Sequence, residues 1–448
     1  MNTSKRQIKR KPLIWMWVLV ICIVTQLLPV QQATVQASGQ GKWQPLGNPG
    51  FSEGTTGDPT IVLDDNDTPY VAYIDYGNED KITVKKYNGI IWENVGEPGI
   101  STGAAGYASM ALDSKGNPYV AYTDTQNGYK ATVMKYTGSS WELVGPKGFS
   151  PDWAKRISIA LDNNNIPYVL YWDEGIFTNK ATVMKYGENG WVTVGSPGFQ
   201  AKYHGRTKIE IDSSGTPYIL FGSGDGSNST DKTTVMKWNG GNWVVLDAAG
   251  FSSGTGWYSS MALDSKGTPY VAYTQEASNH RTTVKKYNGS SWVILGDENF
   301  TGDYAAATIV LDSKDIPYIV YTDYANGSKA IVKKYNGSSW ETVGNAHFSG
   351  DWANPTSIAL DSKDIPYVFY ADRGKNSKAT VVKLTPLKEI TGFMLNSLSP
   401  TVTGTVDEAA KTVALTVPYG TDVSALVPTI THTGASVSPN SGTAQNFT

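Results

Sequence analysis

The sequence predicts an all-β fold, a seven-bladed β-propeller built from four-stranded blades. Three observations predict it. Residues 109–145, SMALDSKGNPYVAYTDTQNGYKATVMKYTGSSWELVG, recur in close copies, six whole and one split between the two ends of the repeat region. Within residues 38–384 the pair Pro-Tyr recurs at Pro69, Pro118, Pro167, Pro217, Pro269, Pro317 and Pro366. A tryptophan recurs in step with it, at Trp43, Trp92, Trp141, Trp191, Trp243, Trp292 and Trp340. Self-similarity at about fifty residues, with several short strands per unit, is the signature of sheets arranged around an axis, none of them stable alone.

Each unit holds four runs that read as strands. In the second unit they are SMAL, PYVAY, KATVMKY and WELVG, rich in Val, Tyr and Thr and bounded by Gly, Asn, Asp and Pro. The links between them, Asp-Ser-Lys-Gly-Asn-Pro and Thr-Gly-Ser-Ser, carry turn chemistry suited to hairpins. One unit is therefore a four-stranded antiparallel sheet. The seventh unit has its first three strands, 357–384, but then meets Thr385-Pro386-Leu387 where the others turn toward Trp, while an orphan Trp strand at 43–47 precedes the first unit. The orphan is expected to complete the seventh blade, so that the N-terminal strand closes the ring and removes both free ends.

Before the ring, Lys5, Arg6, Lys9, Arg10 and Lys11 precede an apolar run, 13–24, and Val35 and Ala37 form a V-x-A pattern. These features predict a secretory signal peptide over residues 1–37, cut after Ala37, with membrane contact only before cleavage. The run is too short for an uncleaved anchor, which needs ~20 apolar residues. Cys22, the one cysteine, falls inside it, so the remaining chain has none and relies on burial rather than disulfides. Without the leader, 32 Lys and Arg face 40 Asp and Glu, a formal charge of −8. That balance argues against nucleic acid as a partner, since phosphate binding needs a basic footprint. A secreted bacterial protein, free or associated with the cell wall, is the expected setting.

Direction alternates strand by strand, so the turns after first and third strands share one face. These turns are short and nearly constant, with Asn-Gly before the Trp strand at Asn88, Asn239, Asn288 and Asn336. The Asp-rich turns, such as 64–67, resemble calcium loops, but other copies read DSKG, DSSG or DNNN. Side-chain-capped turns are the expectation, with no metal and no cofactor.

Variation collects on the opposite face, in the loops from second to third strand and in the connections between blades. Each connection opens with an apolar residue, Phe51, Ile100, Phe149, Phe199, Phe251, Phe300 or Phe348, expected to plug the gap between blades. Further on come Tyr107, Trp153, Tyr203, Trp257, Tyr258, Tyr304 and Trp352, and the loops offer Asp75, Asp124, Asp173, Asp323 and Asp372. Aromatic rings suit the apolar C–H faces of sugars, and carboxylates suit their hydroxyls. The candidate ligand-binding residues are therefore Tyr107, Trp153, Asp173, Tyr203, Trp257, Tyr258, Tyr304 and Trp352, against the plainer reading that the rings pack between blades and the aspartates cap turns.

The fourth blade departs from the pattern. Its first strand reads Lys208-Ile209-Glu210-Ile211 where other copies have small residues, so Lys208 and Glu210 share a strand face and can pair. The approach to it places Tyr203, His204 and Arg206 together, and the following loop is three residues longer than in most blades. Tyr203, His204 and Arg206 are the candidates if the chain is an enzyme, since β-elimination beside a uronate needs a base and a cation. The four histidines form no constellation in sequence, however, and there is no Asp-box, nucleophile elbow, zinc helix motif or phosphate loop. The balance leans away from catalysis.

After residue 384 the composition changes. The phrases VDEAAKTVALTVPYGTDVSALVPTI and SVSPNSGTAQNFT resemble the Ig-like β-sandwich modules of Gram-positive surface proteins. That resemblance implies a partial Ig-like module over residues 385–448, acting as a spacer or display element. The propeller over residues 38–384 is similar to bacterial extracellular repeat propellers, a likeness of architecture that carries no functional residue across. Three roles stay open: an extracellular glycan-binding module using the long-loop face, a polysaccharide lyase or glycoside hydrolase centred on blade four, and a scaffold for a surface protein.

Overall fold

The computed structural model describes residues 19–22 and 41–447, apart from 176–179, 199–202, 224–231, 247–251, 253–257, 276–277, 387–388, 408–409, 411, 433–436 and 439, and it does not describe the side chains of residues 19–22, Tyr203, His204 and Ser223. The chain forms two units, Lys42–Thr385 and Met1–Gly41 with Pro386–Thr448. No described helix is long and apolar enough to cross a membrane.

The first unit is a seven-bladed propeller of four-stranded antiparallel sheets. Blade one is Thr56–Leu63, Pro69–Asp75, Lys81–Tyr87 and Trp92–Asn94, and the others repeat that order. Blade seven consists of Ala353–Leu360, Pro366–Asp372 and Lys378–Thr385, completed by Lys42–Pro45, with Trp43 opposite Leu384. The orphan strand thus closes the ring as the sequence predicts.

The second strand of each blade is covered on both faces by its neighbours. In Pro118–Asp124, Pro167–Asp173 and Pro366–Asp372 every residue is buried. Each large side chain so buried contributes about 1.5–3 kcal/mol, which is why the PYVAY-type runs show no polar alternation. The Trp series staples blade to blade: the indole Nε1 of Trp92 donates to Leu46 O at 2.7 Å, that of Trp141 to Val95 O at 2.7 Å and that of Trp191 to Val144 O at 2.8 Å. The connection residues plug the same gaps, with Phe51 stacked on Trp92 at 4.8 Å, Phe149 on Trp191 at 3.9 Å and Phe300 on Trp340 at 4.9 Å. Gly145 illustrates how tight this joint is: it has φ +78°, and a Cβ there would lie 2.9 Å from the Trp191 ring. Phe199 and Phe251 lie outside the described residues.

Around the axis, innermost strands exchange hydroxyl bonds. Ser109, Ser158, Ser260 and Ser357 accept from the backbone N–H of Ile159, Ile209, Ile309 and Ile61 in the next blade, at 3.1–3.3 Å. A small hydroxyl residue therefore recurs here because it satisfies an amide that no strand ladder reaches. Blade four substitutes Lys208, which pairs with Glu210 at 2.9 Å as its strand face suggests.

The second unit has two three-stranded sheets. One orders Val402–Thr403, Ile390–Leu395 and Thr429–His432; in the other Leu19–Cys22 and Thr405–Asp407 flank Thr412–Leu415. Phe393, Leu395, Val413, Leu415, Leu426 and Ile430 supply its core. Leu19–Cys22, inside the segment read as leader, runs parallel to Thr412–Leu415.

Candidate functional site

The two faces of the ring are built differently. On the short-turn face each turn is capped by its aspartate: Asp113 accepts from the N–H groups of Lys115 and Asn117, both at 2.9 Å, and meets Lys135 Nζ at 3.1 Å. The same lysine lies over the Tyr119 ring at 4.8 Å. Blades five, six and seven repeat the Asp-Lys-Tyr set with Asp264, Asp312 and Asp361. Neighbouring turns also clasp one another, as where Ser362 donates to Asp67 at 2.7 Å across the closing joint. This face is scaffold, and its aspartates are turn caps.

On the long-loop face the innermost strands open with a β-bulge. Pairing to the second strand breaks between Gly57 and Thr60, between Gly106 and Ser109, between Lys155 and Ser158, between His204 and Lys208 and between Ala353 and Thr356. Bulges bend a strand and re-aim its side chains. Asp58, Tyr107 and Arg156 occupy the same place in three consecutive blades and all have positive φ, at 44°, 51° and 52°. A non-glycine residue held there costs of order 1–3 kcal/mol, and such strain gathers at functional positions. Together with Arg206 these side chains line the mouth of an axial channel of about 610 Å³, whose walls are the innermost strands of all seven blades.

The groups at this mouth act on one another. The Arg156 guanidinium lies over the Tyr107 ring at 5.1 Å and that of Arg206 over Tyr258 at 5.8 Å, within cation–π range. Solvent reaches Asp58, yet the surrounding strands desolvate it. That desolvation pushes its carboxyl above its ordinary value, against the pull of Arg206, Arg156 and the N–H groups of Tyr107 and Ala108. Burial likewise presses the Arg206 guanidinium downward, and Asp58 supports its charge.

A second cluster spans the connections into blades six and seven. Tyr304 meets Tyr324 edge to face at 6.3 Å, Tyr324 meets Trp352 at 6.0 Å and the Arg373 guanidinium covers Trp352 at 4.9 Å. Asn354 Nδ2 donates to the Tyr324 hydroxyl at 2.8 Å, and His280 lies against Tyr304 at 5.0 Å. Tyr304 is 55 % exposed and Tyr324 36 %, so the rail presents ring surface to solvent. Trp153, 42 % exposed, pairs with Tyr129 at 4.9 Å on another part of the face.

The candidate residues therefore divide. Tyr107 and Tyr258 stand at the axial mouth, Tyr304 and Trp352 in the rail, and Trp153 by itself with Tyr129. Asp173, by contrast, is completely buried, accepts from Gly175 N at 3.2 Å and caps its own loop. Asp75, Asp124 and Asp372 cap their loops in the same way. Trp257 and the side chains of Tyr203 and His204 lie outside the described residues, while Arg206 reaches the mouth. Asp58, Arg156, Tyr324 and Arg373 were not anticipated. A signal existed for all four: Asp58, Tyr107, Arg156, Arg206 and Tyr258 each stand six residues before the turn aspartate, and Tyr324 and Arg373 each follow a loop aspartate directly.

The family described as "SGBP, N-terminal" matches residues 390–448, in the second unit. No protein of curated function matches the chain. Among solved structures, a polysaccharide lyase described as an ulvan lyase of a new family is similar at 15% identity and TM-score 0.53, covering 76% of this chain and 96% of that one. The same description bound to -[GlcA(1-4)Rha3S]- gives 15% identity, TM-score 0.52 and coverage of 76% and 96%. Aleuria aurantia lectin in complex with Fucalpha1-6GlcNAc is similar at 11% identity and TM-score 0.42, covering 63% and 96%. At these identities the likeness to the two lyase structures is one of fold.

Proposed function

We propose that the propeller is an extracellular carbohydrate-binding module that works through its long-loop face. The observation that carries this reading is the rail of Tyr304, Tyr324 and Trp352, three aromatic residues contributed by two connections and one loop. Nothing in ring closure requires them, since the blade gaps are already filled by the Phe and Trp series. Rings set edge to face and open to solvent offer apolar surface to a sugar, while Arg373 and Asn354 beside them offer donors to its hydroxyls. The SGBP match in the second unit, a glycan-binding kind of domain, and the predicted leader support a protein that meets glycans outside the cell.

A screen of soluble glycans by tryptophan fluorescence tests the reading. Saturable quenching that Trp352→Ala and Tyr304→Ala each weaken about tenfold is the expected result. Quenching that survives both substitutions would move the site elsewhere, and a chain that binds no glycan would leave the protein-scaffold role.

Lyase chemistry at blade four is the second reading, favoured by one observation: the channel mouth brings Arg206 beside Tyr258 and across from Asp58. An arginine there suits neutralisation of a uronate carboxylate, with a tyrosine or histidine as base. New unsaturated ends in the same glycan mixtures, abolished by His204→Ala or Arg206→Gln, would establish it.

A further inference from the structure

We propose that the axial mouth is an anion site that carries its own counter-ion: Asp58 balances Arg206 and Arg156 until a carboxylate or sulfate on a bound sugar takes over that role. The inference rests on the carbohydrate reading above and specifies the class of glycan, an acidic one.

Three independent observations carry it. The first is charge. Among ionisable residues lining the channel, Arg156, Arg206 and Lys208 stand against Asp58 and Glu210, a formal charge of +1 in a chain whose total is −3. Lys208 and Glu210 pair with each other farther along the wall. Two guanidiniums and one carboxylate remain at the mouth, and guanidinium is the side chain whose donors match carboxylate and sulfate oxygens.

The second is placement. Asp58 and Arg156 are held inward by bulges with left-handed backbone, and each arginine lies over a tyrosine ring. Tyr107 and Tyr258 thereby fix the guanidinium planes and offer ring edges to the sugar that bears the anion. A structural salt bridge needs no strained backbone in adjacent blades, whereas a preorganised binding site uses it.

The third is desolvation. Although solvent reaches Asp58, the surrounding strands desolvate its carboxyl and raise its pKa, so the resting counter-ion is held charged against that pressure. The groups that act on it are Arg206, Arg156, the Tyr76 hydroxyl and the amides of Tyr107 and Ala108. As pH falls through its raised pKa, Asp58 becomes neutral and the lining charge rises from +1 to +2. Affinity for a sulfated sugar is then expected to increase with acidity. Affinity for a uronate increases until the ligand itself protonates, near ~3.5.

The test uses the full chain and matched pairs of glycans that differ in charge: oligogalacturonate against its methyl ester, and dextran sulfate against dextran, each titrated at neutral and mildly acidic pH. The charged member of at least one pair should bind about tenfold more tightly than its neutral partner, and which pair responds tells carboxylate from sulfate. Arg206→Gln should lose about that factor. Asp58→Asn should do the opposite, tightening binding several-fold at neutral pH and removing its pH dependence. Asparagine tolerates the left-handed backbone at this position, so the gain is not masked by strain. Equal binding of charged and neutral partners, or weakening by Asp58→Asn, would overturn the anion site and leave the carbohydrate reading intact. If no glycan binds, the carbohydrate reading fails instead, and inorganic sulfate titrated into the same variants still decides whether the mouth is an anion site.

Discussion

Aspartates cap loops on both faces of the ring, and one pair on each face shows burial and hydrogen bonding decided in opposite directions. On the short-turn face, burial presses Asp113 upward but is outweighed by bonds from Asn117, Lys115 and Lys135, so its pKa lies below the ordinary value; Asp212 behaves alike through Ser214 and Thr216. On the long-loop face burial wins: Asp75 and Asp372 are raised despite accepting from Gly77 and Gly54 and from Gly374 and Thr380. What differs is the number of donors at the carboxylate: Asp113 accepts from Asn117, Lys115 and Lys135, and Asp212 from both groups of Ser214 and from Thr216, while Asp75 and Asp372 each accept from two groups. In blades two, five, six and seven a lysine already pairs the short-turn carboxylate, whereas the other face keeps arginines and rings that belong to single blades.

The largest expected effect sharpens that contrast with one residue type. Trp92 is buried, donates to Leu46 O and stacks on Phe51, so Trp92→Ala should cost about 3–5 kcal/mol in chemical denaturation. Trp352, half-buried in the rail, should cost less than about 1 kcal/mol when truncated while weakening glycan binding. Equal losses of stability from the two substitutions would break the division into architecture and site.

That division was partly legible in the sequence. The blade count, the closing strand, the gap-filling phenylalanines and the Lys208–Glu210 pair all follow from residues that repeat or from a single break in repetition. The buried aspartates were harder to place, because Asp173 next to Glu174 looks the same whether it caps a loop or faces solvent; Glu174 in fact holds Lys155 at 2.5 Å. Asp58 and Arg156 escaped notice for a different reason. Alternation along a strand assigns a face to each residue, and a bulge breaks the alternation where it matters, sending Tyr107 and Arg156 into the channel. The column six residues before the turn aspartate reads Asp, Tyr, Arg, Arg and Tyr through five blades, a position that varies in chemistry while its surroundings stay constant.

A smaller effect follows from exchanging single carboxylates. Asp113→Asn removes the anion that Lys135 needs and should destabilise by roughly 1–3 kcal/mol at neutral pH. Asp372→Asn keeps an acceptor for Gly374 and discards a charge that burial disfavours, so a change within about 0.5 kcal/mol, of either sign, is expected. A penalty for Asp372→Asn as large as that for Asp113→Asn would mean that both faces depend on their charge.

The smallest effect is the dependence of stability on pH, where the two faces should pull in opposite directions. Asp75 and Asp372 hold a proton more tightly folded than unfolded, so acidification through their raised pKa values adds stability, complete below the unfolded value near ~3.9. Asp113 and Asp212 hold theirs less tightly, so the stability they supply is fully present above that value and is lost as pH falls through it toward their depressed folded pKa values. Urea denaturation from pH ~7 to ~3 should therefore show a shallow rise before the acid fall. Asp75→Asn with Asp372→Asn should flatten the rise and leave the fall, and Asp113→Asn should reduce the fall alone. A fall that begins well above pH ~4 would place the acid-sensitive charges outside the short-turn face and undo the assignment of that face as a self-sufficient scaffold.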